Sequence, residues 1–259
     1  MGDRIRVGII TQEDPFFLGE AITYFLSTIP DDEIEVVVAV VFSGSPFGKK
    51  MTFRKKAFET LAVFGFRFFI YYAFHFVLYK SDPKRSVKRI FRESRIPVIE
   101  NIRSINTEAA IKRIMQYKPD LFVSIGGNQI FKKKMIEAAP RGMLNVHTAL
   151  LPKYRGLMPT FWVLKNDEQE TGVSVFFVDE GIDTGDIVVQ KKIAINDRSH
   201  TELIRATKLL CMDALIEAIL AIKADCVTLI PNPDELSTHF HFPTRQDVKA
   251  FYRKGKKFF

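Results

Sequence analysis

The chain has 259 residues, 47% hydrophobic and 26% charged, with 38 Lys and Arg against 30 Asp and Glu for a formal net charge of +8. That length and balance allow a sizeable core and exclude a disordered, collagen-like or small disulfide-stapled class. The charge suits an anionic partner and is regional: residues 49–113 hold sixteen Lys and Arg against five Asp and Glu, which leaves the remainder slightly acidic.

Residues 6–10 (RVGII) predict a first strand, residues 15–26 a helix ending near Pro30, and residues 34–42 a second strand. Strand, helix, strand is the opening of a parallel α/β sheet. After a turn signal at 43–48 (SGSPFG) and a segment taken up below, residues 87–95 read as a basic helix and 96–99 (IPVI) as a short strand. A further helix, with Asn106 as N-cap and Glu108 in its first turn, runs to about Tyr117. LFVSI (121–125) is a continuous apolar strand of the kind buried on both faces, and it runs into Gly126 and Gly127.

A short cationic helix is expected over 130–139, strands over 143–146, 172–178 and 186–195, and a long amphipathic helix over 201–224, capped by Ser199 or Thr201. The last thirty-odd residues, rich in Pro, aromatic and basic side chains, read as a tail laid over the domain. The expected organisation is one α/β unit over residues 1–225, carrying an insertion at about 47–92. Residues 226–259 follow as an extension that is not an independent domain. Cys211 and Cys226 both stand beside apolar residues, outside any CxxC, and are expected to be reduced core residues. The N-terminus shows no signal-peptide pattern or myristoylation motif, so a cytoplasmic location is expected.

The polar information is densest between residues 145 and 186. Asn145 and His147 stand two apart at a strand end, so their side chains share a direction. At the carboxyl end of a sheet strand that direction is the ligand crevice. An amide donor beside an imidazole suits acyl transfer, which needs a donor for a developing oxyanion and a group to move a proton. Asp183, in a Gly-Ile-Asp-Thr-Gly loop, can return to the same crevice and orient the imidazole. Taken singly, a histidine after a strand and an Asp between glycines also fit structural roles.

Together, Asn145-Val-His147, Leu150-Leu-Pro-Lys-Tyr-Arg-Gly156, Glu170-Thr-Gly-Val173 and Gly181-Ile-Asp-Thr-Gly-Asp186 closely resemble the folate-dependent formyltransferase family. That family includes glycinamide ribonucleotide, methionyl-tRNA and sugar N-formyltransferases. The resemblance implies a Rossmann-like, mostly parallel sheet with helices on both faces, and Asn145, His147 and Asp183 as the catalytic residues. It also implies 10-formyltetrahydrofolate as donor, an amine as acceptor, and no metal. The folate pocket would be made largely by backbone at Gly126, Gly127, Asn128, Gln129 and Ile130, and at Val178, Asp179, Glu180, Gly181 and Asp183.

The stretch after the first strand, residues 11–18, is acidic and bulky where the ribonucleotide-acting members carry a Gly/Ser-rich phosphate loop. The methionyl-tRNA members carry a further C-terminal barrel. By elimination the expected acceptor is a nucleotide-linked amino sugar; methionyl-tRNA-like activity and a catalytically idle binding or scaffold protein are the alternatives, and nucleic acid is not the expected partner. Glu13, Asp14 and the His147/Asp183 pair are candidate bases for the acceptor ammonium, with a solvated loop the other reading of Glu13 and Asp14.

Residues 53–79 depart from the family pattern. Its core, residues 61–79, is aromatic and aliphatic, interrupted at Gly65, Arg67 and His75, preceded by Lys49, Lys50, Arg54, Lys55 and Lys56 and followed by Lys80, Lys84, Arg85, Lys88 and Arg89. A span needs about 20 apolar residues, and Arg67 lies mid-run. The expected readings are buried insertion, homodimer face, or peripheral contact with the anionic inner face of a membrane through Phe68, Phe69, Tyr72 and Phe76.

Overall fold

The computed structural model describes residues 4–44 and 52–259. Most of the turn signal at 43–48, with Lys49 and Lys50, lies outside the described residues. The β-branched runs form β1 (Ile5–Gln12) and β2 (Ile34–Phe42), joined by α1 (Leu18–Thr28). Beyond them lie α2 (Phe53–Phe64), α3 (Phe66–Ser81), α4 (Val87–Glu93), β3 (Val98–Ile99), α5 (Glu108–Met115), β4 (Leu121–Ile125) and α6 (Lys133–Ile136). The chain continues through β5 (Met143–His147), β6 (Arg155–Gly156), α7 (Pro159–Lys165), β7 (Glu170–Phe177), β8 (Ile187–Ala194), α8 (His200–Lys223), β9 (His239–Phe240) and α9 (Arg245–Arg253).

Seven strands make one sheet in the order β3-β2-β1-β4-β5-β7-β8. The first five are parallel, β7 enters antiparallel to β5, and β8 pairs antiparallel with β7. The chain builds outward from β1 to β3, then crosses back to place β4 on β1's other side. That reversal is a topological switch point, where open α/β sheets bind ligands beyond their strand ends. Helices cover both faces, as the sequence predicts. Leu18, Ile22, Phe25, Phe91, Leu215 and Ile219 pack on one side of the sheet, and Ile105, Ile114, Met135 and Ala139 on the other.

Several boundaries differ from the sequence reading for local reasons. The first helix starts at Leu18 rather than Pro15, because the Asp14 carboxylate accepts the Phe16 N–H at 2.7 Å and holds a turn. Thr107, not Asn106, caps α5 by accepting the Ala110 N–H, while Asn106 ties itself to Ile130 and Lys132. That engagement confines the predicted helix over 130–139 to α6. Ser199 is the α8 cap, in a reciprocal box with Glu202. Cys211 is buried, its thiol pushed up to about 12 by burial, but Cys226 lies beyond the end of α8 and is exposed, against expectation.

The aromatic run folds as two helices broken at Gly65, whose φ of +85° suits glycine. Phe64, Phe68, Tyr72 and Phe76, four apart, face inward. Tyr72 stacks on Phe16 at 4.5 Å, and Phe68 meets Phe258 at 4.9 Å. The inward side is therefore the one assigned to a membrane from the sequence; Phe69 is half-buried, and the outward row is a different set of residues. No helix among the described residues is long and apolar enough to cross a membrane. The tail brings Phe251 and Phe258 into a third cluster with Phe161, Trp162 and Leu203.

His200 sits in that cluster, bonded to Thr160 at 3.2 Å, and burial lowers its pKa to about 3. Unfolded chain protonates this imidazole near its ordinary value of about 6.5, so each pH unit below that removes up to about 1.4 kcal/mol of stability, until the folded pKa is reached. Urea titrations at pH 7 and pH 4.5 should show a loss that His200→Leu largely abolishes. In the same assay Phe258→Ala should cost about 3–5 kcal/mol, whereas Phe66→Ala, at an exposed position, should stay within about 0.5 kcal/mol.

Candidate active site

β5 carries Asn145 and His147 to its carboxyl end, both on one side of the strand. His147 is buried, and its Nε2 lies 2.7 Å from the Tyr154 carbonyl oxygen. A carbonyl only accepts, so Nε2 bears the proton and Nδ1 is the atom left for chemistry. Nδ1 lies 3.6 Å from Asp183 Oδ2, so a proton placed there is set against a carboxylate. Asn145 is half-buried, and among the described residues its side chain has no hydrogen-bond partner, which leaves its amide for a ligand.

Asp183 reaches His147 by an indirect route. β7 runs antiparallel to β5 with Phe177 opposite Leu144, so the Asp loop leaves the sheet near the start of β5 and must climb back to its end. Gly185 permits the fold: a Cβ there would lie 1.8 Å from the Phe177 carbonyl oxygen. Asp179 Oδ1 accepts from Gly181 N–H at 3.0 Å and Thr184 Oγ1 at 2.5 Å, closing the base of the loop. At the tip, where Asp183 itself has a φ of +56°, the Gly156 N–H donates to Asp183 Oδ2 at 2.9 Å.

Three groups that sequence reasoning missed support this arrangement. Asn232 Nδ2 donates to the carbonyl oxygens of Asp183 and Gly185, each at 2.9 Å. Fully buried Arg155 donates from Nη2 to the Asn232 carbonyl at 2.8 Å and to its Oδ1 at 2.9 Å, and from Nη1 to Asp234 at 2.5 Å. The third is the Tyr154 carbonyl, at a turn where Tyr154, Gly156 and Met158 all have positive φ. The only sequence signal for Asn232 is its place between two prolines in the tail.

The residues predicted for the folate pocket fall into two groups. Gly126 to Ile130 follow β4 at the switch point. Gly126, at φ +61°, gives its carbonyl to Gln12 Nε2 at 2.9 Å, and Asn128 donates to Gln12 and to the Ser43 carbonyl. Gln129 bridges Arg103 and Ile105, while Ile130 is exposed. Val178, Asp179, Glu180 and Gly181 belong to the Asp loop, where Phe177, Val178, Asp179, Thr184, Gly185, Asp186 and Leu229 line a shallow cavity of about 260 Å³. Among the described residues, no three His, Cys, Asp or Glu side chains are grouped to hold a metal ion.

The two candidate bases after β1 are placed differently from each other. The Glu13 carboxylate accepts from Ser86 Oγ at 3.2 Å, Val87 N–H at 3.3 Å and Lys88 N–H at 3.0 Å, capping α4, so it is neither solvated nor free to act as a base. Burial raises the pKa of Asp14, against the lowering effect of the Phe16 N–H. Neighbouring Tyr72 is pushed up to about 12, first by burial and then by the Asp14 charge.

A family profile described as "Formyl transferase" matches residues 76–219. The chain is 34% identical over 165 residues to the methionyl-tRNA formyltransferase of Kosmotoga olearia, covering 62% of this chain and 52% of that protein. It is 38% identical over 111 residues to the Clostridioides difficile enzyme of the same name, covering 43% of this chain and 36% of that one. The chain thus spans about half the length, or less, of these curated relatives. Among solved structures, glycinamide ribonucleotide transformylase 1 from Symbiobacterium toebii aligns with a TM-score of 0.59 at 19% identity, covering 90% of this chain and 93% of that one. The Helicobacter canadensis N-formyltransferase, solved with folinic acid and dTDP-3-aminofucose, aligns at 0.58 with 20% identity, covering 94% of this chain and 72% of that one. The fold is shared with these two solved structures, and with the profile covering more than half of its residues the chain belongs to the formyl transferase family.

Proposed function

We propose that this protein transfers the formyl group of 10-formyltetrahydrofolate to a primary amine, with Asn145, His147 and Asp183 as its catalytic residues. The observation that carries the reading is the His147–Asp183 pair, 3.6 Å apart at the end of the strand that also presents Asn145. The folate co-substrate supplies a formyl carbon already bonded to nitrogen. Gly126 to Ile130 and Val178 to Gly181, with Asp183, are the segments assigned to hold it. Residues 1–225 then form the catalytic unit, and residues 226–259 complete it by supporting the Asp loop through Asn232.

The residue chemistry follows from the geometry. Asn145 donates an amide N–H to the oxygen that gains charge as the acceptor nitrogen bonds to the formyl carbon. His147, its Nε2–H held by Tyr154, uses Nδ1 to take the proton leaving the attacking amine and return it to the departing folate nitrogen. Asp183 stabilises the imidazolium between those two transfers, and Gly156 keeps the carboxylate aimed at it.

For the acceptor, a nucleotide-linked amino sugar is the first choice. The β1–α1 loop is filled by Phe16 stacked on Tyr72, which makes it unlike a phosphate cradle and disfavours a ribonucleotide there. Methionyl-tRNA is the second reading, favoured by the curated relatives and by the basic stretch at 49–113. Mass spectrometry on both acceptors with 10-formyltetrahydrofolate separates them by which one gains a formyl group; gain by neither overturns the proposal.

With a confirmed acceptor, Asn145→Ala, His147→Ala and Asp183→Ala should each lower turnover by about 10²–10³-fold, and near-wild-type turnover in any of them removes that residue from the mechanism. Asn232→Ala, which unpairs two loop carbonyls, should cost about 1–3 kcal/mol in urea unfolding and lower kcat. A 5-formyl or 10-formyl folate should raise Tm without an acceptor, by mass action on the folded state. An unchanged Tm at saturating folate contradicts the assignment.

A further inference from the structure

We propose that the outward faces of α2 and α3 form a docking surface for an anionic phospholipid bilayer, lying on it without crossing it. A helix this rich in aromatic and aliphatic side chains is expected to bury several of them, yet no residue of α3 is buried. Its inner stripe is covered by Phe16 and Phe258, and its outer row is covered by nothing among the described residues. That row is Phe66 (70% exposed), Ile70 (51%), Phe74 (60%) and Val77 (67%), one helical face with Leu78 at its edge. On α2, Phe58 and Leu61 are exposed in the same way. Exposed apolar surface gathered on consecutive helices marks an interaction site.

Charge selects the occupant. Arg54 and Lys55 stand four and three residues before Phe58, on its face of α2, and Arg67 stands three before Ile70. All three are exposed, as is Lys80, whose ammonium lies 5.5 Å from the Phe76 ring centre. Glu59 is the sole acid between residues 53 and 81. In a symmetric dimer the same patch meets itself, so these cations would face their own copies. Anionic head groups instead attract them, while the Arg and Lys stems lie along apolar surface with their charges at head-group depth. The 16 residues of α3 span roughly 24 Å at about 1.5 Å each, short of a hydrocarbon core of about 30 Å, so the helix lies in the interface. This surface is independent of the acceptor and of the formyl-transfer reading.

The test is flotation of the full chain with vesicles of phosphatidylglycerol and phosphatidylcholine, and with phosphatidylcholine alone. Binding should require the anionic lipid and fall steeply as salt shortens the screening length from about 10 Å at 0.1 M to about 3 Å at 1 M. The variant F66S/I70S/F74S/V77S should lose most of the bound fraction with a Tm close to wild type, because its four positions are exposed. R54Q/K55Q/R67Q/K80Q, which keeps the apolar row, should lose the anionic selectivity and decides the matter if the first variant does not fold. The proposal is overturned if the chain does not float with anionic vesicles, or if both variants bind like wild type. It is equally overturned if light scattering shows a concentration-dependent dimer that the first variant abolishes without any lipid binding.

Discussion

The buried guanidinium of Arg155 is the constraint on which the site depends. A charge removed from water has to be paired or solvated by dipoles, and Arg155 pairs Nη1 and Nη2 with Asp234 and Asn232, both from the tail. Asn232, so oriented, spends its amide on the Asp183 and Gly185 carbonyls. Gly156, next to Arg155, donates to the Asp183 carboxylate itself. One buried cation therefore fixes the tail, the Asp loop and the turn after β5 with respect to one another.

The sheet supplies the other half of the geometry. Because β5 lies beside β4, next to the switch between β1 and β4, its end opens toward the same crevice as the Gly126-Gly127 turn. The Asn145–His147 strand end and the Gly126-Gly127 turn thus arise as neighbours from strand order alone. Antiparallel entry of β7 is what obliges the Asp loop to fold back, and a loop that climbs without its own secondary structure needs the external support described above.

Much of this was legible in the sequence because the signals are local. β2 and β4 are continuous apolar runs, and Asn145 and His147 are two residues apart on one strand, so their common direction follows from the pleat. Asp183 was legible only through its motif, and its placement against His147 depends on Asn232, 49 residues further on, which no periodicity connects to it. The Glu13 cap on α4 was missed for the same reason: its partners are more than seventy residues away. In the aromatic run the difficulty differs in kind. A helix apolar on every side has no phase in its hydrophobic pattern, so the residues facing the protein and those facing outward could not be separated until Phe16 and Phe258 were in place.

The same aromatic packing joins the outward helices to the site. Phe68 packs on Phe258, Phe258 on Phe161, Phe161 on Trp162, Trp162 on Phe240 and Phe240 on Tyr154, whose carbonyl accepts the hydrogen bond from His147 Nε2–H. Close-packed rings of this kind transmit position because no gap is left for one to move without its neighbours. They establish rigidity rather than a signal, since nothing in the arrangement has two alternative states. The consequence is one of orientation: a surface that seats α2 and α3 also fixes where the crevice at the end of β5 points. The inner and outer sides of α3 differ accordingly: the inner one holds the helix to the domain through Phe16 and Phe258, and the outer one is left open to the surroundings.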